Sequence, residues 1–356
     1  MRFSTGKVRL AAMRIRAIGS IALLALVAAG ARGDDSAPST AAARLVPSEM
    51  TLLVGVDFAQ LRAAGPPATI QLLMDGTRPQ LAKFGADPAK VGAVAIGVQL
   101  PPGSDGHMPT VLVADVPVDV KLLEKTASGP LTSSTYQGVA IRRDKRDAYA
   151  IVPRDRLLMS EGMKIERVID LVHGKGTALV DKAAASLLAR VGATGGQGPA
   201  LFGWLRADQS VKERLVGNDP VVGGVEEAAA SMATGANGAD LKAAARCANK
   251  DAAAQVATAA REGLAKAARD PTVGMLGLTQ LVQAVKVSAS DNFVTASLHM
   301  TREQYVDLIT RLTGFIQQAA SVQLPLPVEP TPPPPAAAPA PSTKSKSIKP
   351  RKAKDE

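Results

Sequence analysis

The body of this chain, residues 45–320, alternates short apolar runs of strand length with amphipathic helical stretches, and that alternation narrows the fold class more than any other feature. Met50–Val56 (MTLLVGV) is a continuous apolar run, which predicts a buried strand. Asp57 follows at an N-cap position ahead of a helical stretch Phe58–Ala64. Helical pieces are predicted around Thr69–Met74 and Pro79–Phe84. Val91–Leu100 puts Val94, Ile96, Val98 and Leu100 on one side, as a half-buried strand does. Thr110–Val116 returns as a strand, followed by a helix Asp119–Ala127 and a strand Tyr136–Arg143. Ala148–Val152 and Leu157–Ser160 flank a Pro153-Arg154-Asp155 turn, and helices Lys164–His173 and Asp181–Val191 follow.

The Gly-rich stretch Gly192–Pro199 then punctuates the chain, and the order of elements repeats. Ala200–Leu205 is a strand, and Ser210-x-x-Glu213 reads as a capping box. Asn237-Gly238 asks for a hairpin between Val225–Thr234 and Asp240–Ala248. That demand decides between two readings of Ala239–Arg269, one long Ala-rich helix or a strand followed by a helix, in favour of the second. The helix Lys250–Arg269 is capped by Asn249 and stopped by Pro271. Val285–Ser290 and Phe293–Met300 flank an Asp291-Asn292 turn, and Thr301-x-x-Gln304 opens a last helix. The expectation is an α+β protein: two tandem β-α-β-β-α-β units in ferredoxin-like order, each an antiparallel sheet with helices on one face. Their bounds are 45–192 and 193–320.

The ends differ from the body. Residues 1–31 carry five bases and no acid, and residues 321–356 carry six bases and three acids, which leaves +2 of the total +10 for residues 32–320. The basic start, the apolar run Ala17–Ala29 and the small-x-small triplet Ala29-Gly30-Ala31 predict a signal peptide cleaved after Ala31, with Met1 or Met13 as the start. Thirteen apolar residues are too few to span a bilayer as a helix, so no transmembrane span is expected after cleavage. A polar leader, 32–44, follows. Arg32-Gly33-Asp34 spells an adhesion tripeptide, a match short enough to arise by chance. Ten prolines between Pro325 and Pro350 predict a disordered, extended tail over 321–356. Its tip carries Lys344, Lys346, Lys349, Arg351, Lys352 and Lys354, an expected contact for an anionic envelope polymer or lipid surface.

The openings LVPSEMTLLVGVDFAQL (Leu45–Leu61) and DRLLMSEGMKIERVIDL (Asp155–Leu171) resemble those of a loose class of exported bacterial α+β proteins without an assigned activity. The resemblance implies export and an α+β body, and it transfers no site residue.

Signatures of chemistry are sparse. In His173-Gly174-Lys175-Gly176-Thr177 the position a P-loop needs as Gly is Ile169, and a helix end rather than a helix start faces the glycines. Neither G-x-S-x-G nor H-E-x-x-H occurs, and His107, His173 and His299 are far apart in sequence. A single cysteine, Cys247, excludes an intrachain disulfide, and its apolar surroundings predict a buried thiol. Glu226 and Glu227 point to opposite faces of a strand; Asp57, Asp181 and Asp208 stand where helix capping explains them; Trp204 belongs to the core. Aromatics at 3% and a nearly neutral body weigh against nucleic acid as a partner. No catalytic, cofactor or metal residue is expected. The reading is an exported, periplasmic or surface-located, non-enzymatic binding or scaffold protein of the envelope, with an exported hydrolase built from distant residues as the alternative.

Overall fold

The computed structural model describes residues 38–64, 87–100, 107–121, 131–144, 147–153, 155–193, 198–209, 211–212, 223–235, 237–275 and 277–321. The signal segment, the Lys-rich tip, the helical pieces expected around 69–74 and 79–84, and the Ser210/Glu213 box lie outside them.

Strand-length apolar runs pair with their sequence neighbours first. β1 (Leu52–Asp57) pairs with β2 (Ala93–Val98) and β2 with β3 (Thr110–Asp115), all antiparallel. β4 (Thr132–Tyr136), β5 (Val139–Arg143), β6 (Asp147–Val152) and β7 (Arg156–Glu161) form a meander that joins β3 through β7. In the second half, β8 (Leu201–Arg206), β9 (Val225–Gly235) and β10 (Gly238–Cys247) follow one another, and β10 pairs with β12 (Phe293–Thr301), whose other neighbour is β11 (Lys286–Ser290).

The two halves do not build two sheets. β1 pairs with β8, Leu52 opposite Leu205 through Val56 opposite Leu201, giving one sheet of twelve strands in the order β11-β12-β10-β9-β8-β1-β2-β3-β7-β6-β5-β4. The reason is edge chemistry: LLVGV and LFGWL would each be an apolar edge with unpaired backbone groups, and joining them satisfies both. The ferredoxin-like order is replaced as well, because β1, β2 and β3 are antiparallel neighbours rather than a split crossover. The expected strand Tyr136–Arg143 is a hairpin, β4–β5, turned at Gln137 (φ 48°) and Gly138 (φ 80°) as a primed turn requires.

Helices cover both faces, where one was expected. The face bearing Leu53 is covered by α1 (Pro38–Ala43), α3 (Glu166–Val172) and α4 (Ala185–Arg190), whose Val168, Ile169, Leu187 and Leu188 pack with Leu158, Phe202 and Trp204. The face bearing Val54 receives α2 (Phe58–Ala64), α5 (Lys250–Ala267), α7 (Thr279–Ala284) and α8 (Arg302–Ser321); α6 (Pro271–Met275) precedes α7. The cause is visible in β1 and β2: Leu53 and Val56, on opposite sides, are both buried, as are Ala95 and Val98. Two glycines make room for side chains on the Leu53 face. A Cβ on Gly55 would stand 2.3 Å from the Phe202 ring, and one on Gly97 would stand 2.4 Å from Val46 Cγ1.

Caps follow the sequence. Asp57 Oδ1 accepts from Gln60 N at 2.9 Å, Asp208 Oδ1 from Val211 N at 2.9 Å and Asn249 Oδ1 from Ala252 N at 2.8 Å. Thr301 and Gln304 form the reciprocal box, at 3.0 and 3.3 Å. Asp181 caps nothing here, since α4 begins at Ala185 behind Ala184 and Asp181 lies in the preceding turns. Residues up to Ile316 form one compact unit, and the second unit, Gln317–Glu356, is described only through the end of α8.

Candidate functional site

Pairing register, not sequence proximity, creates the most distinctive surface. On the Val54 face, Gly203 of β8 lies opposite Ala230 of β9, Ala230 opposite Ala243 of β10, and Ala243 opposite Ala296 of β12. Four small residues thus line up across four adjacent strands, about 14 Å from end to end at ~4.8 Å per strand spacing. The next row on one side is Leu201, Met232, Leu241 and Leu298. The row on the other side is Leu205, Ala228, Ala245 and Val294, extended by Leu52 on β1. The row Leu201, Met232, Leu241 and Leu298 stands above the floor along its length, and the other row does so only at its ends, Leu205 and Val294, so the low strip is an open trough.

The cavity volumes follow that layout. Two open grooves, of about 390 and 350 Å³, adjoin along the small-residue row and share Gly203, Ala230, Ala243 and Ala296. Ala230 and Ala243 are exposed, so the floor is open to solvent. Val54 closes the row at β1, and Val285, at the end of α7, lines the second groove. At the β11 end, Val287 stands opposite Ala296, and Arg261 of α5 donates to the Val287 carbonyl at 3.2 Å. The lining contains no Asp, Glu, His or Cys among the described residues. Ser231, Lys242 and Ser297 border the second groove through their strands only, since the register turns their side chains to the Leu53 face, where Ser231 Oγ donates to the Val191 carbonyl.

A second cluster lies on the Leu53 face. Glu227, 5% exposed, accepts from Arg246 Nη2 at 2.9 Å. Burial pushes the Glu227 carboxyl above its ordinary value, against the pull of Arg246 and Arg206. The Arg206 guanidinium lies over the Trp204 ring at 5.5 Å, and the buried Trp204 indole N–H faces the Glu227 carboxyl and favours its charged form. The strands β8, β9 and β10 bring these groups to one sheet end, where the ion pair ties β9 to β10 beside the register shift between Arg246 and Cys247.

The residues singled out in sequence are scattered by the fold. Cys247 is fully buried against Ala253, Ala257 and Val294, and burial raises its thiol pKa. Trp204 is core, 1% exposed. His173 ends α3, and His299 on β12 bonds Asp240 Oδ1 at 2.8 Å. Glu226 is half exposed where Glu227 is buried. Asp57 is fully buried, and burial raises its carboxyl, offset by the hydrogen bonds from Gln60 and by Arg62. Among the described residues no three His, Cys, Asp or Glu side chains converge as a metal ion would need. Nor is any helix among them long and apolar enough to cross a membrane. The trough was missed in sequence, and the signal that would have found it is the alternation of alanines in EEAAASMAT and LKAAARC once those strands are set in register.

No family model and no curated protein matches the chain. Solved structures of TP0453 are distantly similar. Crystal form III aligns with a TM-score of 0.45 at 8% identity, covering 75% of this chain and 96% of that one. Crystal form IV aligns with 0.45 at 8%, covering 77% and 100%, and crystal form I with 0.43 at 7%, covering 77% and 96%.

Proposed function

We propose that this is an exported, non-enzymatic protein of the bacterial envelope whose body holds the hydrocarbon chain of an amphiphile in the trough on the Val54 face. The register-aligned floor of Gly203, Ala230, Ala243 and Ala296 beside the taller row of Leu201, Met232, Leu241 and Leu298 carries the reading. An open apolar groove of a few hundred Å³ whose floor carries no polar side chain matches a methylene chain better than a polar metabolite, whose hydrogen bonds would find no partners there. Arg261 at the β11 end favours an anionic head group. Export rests on the basic and apolar start of the sequence, and the Lys-rich tip of the tail supplies attraction to an anionic envelope surface. A hydrolase would need a nucleophile and a base in one cavity, and Ser231, Lys242 and Ser297, the described lining residues of those types, turn their side chains to the opposite face of the sheet.

The test is titration of the full chain with dansylundecanoic acid. Saturable fluorescence enhancement is expected for the parent. Ala243→Phe, which fills an exposed part of the floor, is expected to weaken binding about tenfold or more. Equal binding by the two proteins would remove the trough from the function.

A further inference from the structure

On the Leu53 face, the register of β10, β12 and β11 sets side chains in rows past the end of α4. Lys242, Ser297 and Lys286 form one row, Ala244, Thr295 and Ser288 the next, and Arg246, Phe293 and Ser290 the third. Two contacts fix the face: Ala244 packs in its core cluster, and Ser231, opposite Lys242, donates to the Val191 carbonyl just behind α4. Lys242, Ser297 and Lys286 are all exposed.

Opposite charges on neighbouring strands support a sheet, and like charges work against it. Here two lysines flank a serine, about 10 Å apart at two strand spacings, and their row holds no acid. Asp240, one step along the face from Lys242, bonds His299 Nδ1 at 2.8 Å, and Glu227 is engaged by Arg246. A third cation comes from α4: the exposed Arg190 guanidinium stacks on the Phe293 ring, 3.7 Å from its centroid, which holds it over the sheet. A Cβ on Gly192 would stand 3.9 Å from Lys242 Nζ, so Lys242 and Arg190 border the same end of α4. Among the described residues, none of these three cations has an ion-pair partner.

We propose that Lys242, Ser297 and Lys286, with Arg190 beside them, form a binding site for a phosphate monoester group. Such a group carries roughly two negative charges at neutral pH and three acceptor oxygens. Two ammonium groups on flexible stems meet it from either side, the Ser297 hydroxyl donates from the strand between them, and Arg190 presents a planar fork. The Ser288 and Thr295 hydroxyls, 2.8 Å apart, continue the polar floor in the next row. A carboxylate, with one charge and two oxygens, would leave part of this set unmatched. The site lies on the face opposite the trough and does not rest on that reading.

The experiment is calorimetric titration of the full chain with glycerol 3-phosphate at low salt, with acetate as the carboxylate comparison. Saturable binding of the phosphate ester is expected, and much weaker binding of acetate. The double variant Lys242→Gln/Lys286→Gln should weaken it about tenfold or more, and Arg190→Gln should do so by a smaller factor. Lys250→Gln/Lys266→Gln, which removes the same charge from exposed positions of α5, should bind like the parent, as should a chain whose six tail cations are replaced by glutamine. All substituted positions in the body are exposed, so circular dichroism and urea midpoints should match the parent's. Flotation with vesicles of phosphatidic acid in phosphatidylcholine identifies the source. Flotation lost in Lys242→Gln/Lys286→Gln supports a lipid head group, and ester binding without such flotation supports a soluble phosphate ester. Equal ester binding by parent and Lys242→Gln/Lys286→Gln, or an equal loss in Lys250→Gln/Lys266→Gln, overturns the proposal.

Discussion

The two faces of the sheet share strands and differ in side-chain size. On the Leu53 face the middle strands carry Phe202 and Trp204, and α3 and α4 cover them with Ile169, Leu187 and Leu188. On the Val54 face the same β8 offers Gly203, and its neighbours offer Ala230 and Ala243. One face is filled, and the other keeps a trough, because the small side chains of its floor leave volume that no described side chain occupies. A strand can thus serve as core on one side and binding surface on the other with no change of backbone.

Three changes would break or sharpen that contrast. Phe202→Ala empties the filled face and should cost about 3–5 kcal/mol in urea unfolding; a cost below about 1 kcal/mol would mean that this face is not the packed one. Asp57→Asn tests the buried carboxylate that caps α2 at the end of β1. Asn keeps the cap acceptor and removes the charge. The folded pKa of Asp57 lies above the ordinary value, so the folded state holds this proton more tightly than the unfolded chain. Its ionisation therefore costs stability as pH rises from the ordinary carboxylate pKa through the folded one, and below the ordinary value the cost is absent. Parallel unfolding series of parent and variant from acid to neutral pH should diverge in favour of the variant, by at most about 1.4 kcal/mol per pH unit. A pH-independent difference would contradict the effect of burial. The smallest effect is expected of Ala243→Phe, within about 0.5 kcal/mol of the parent, since the position is exposed. A loss like that of Phe202→Ala would show the trough to be core.

Legibility varied with how local the deciding interaction was. Asn249 and the Thr301/Gln304 box were readable because each cap acts within one turn. The hairpin between β9 and β10 was readable from Asn237-Gly238, although the chain turns one residue earlier, with Gly235 opposite Gly238 and Gly238 at φ 130°. That turn also explains why alanines 243–245 form a strand against their helical preference: β9 and β12 pair with them on both sides. The β4–β5 hairpin was missed because TSSTY has no apolar alternation and lies at the sheet edge.

Sequence alone determined most of the strands, several turns and most caps, because apolar period and capping chemistry are settled among residues a few positions apart. Tertiary structure decided that two halves make one sheet, that both faces are covered, and that four small residues from positions 203, 230, 243 and 296 form one floor. Those outcomes depend on which edges meet and in what register, and a shift of one residue would send every side chain of a strand to the other face.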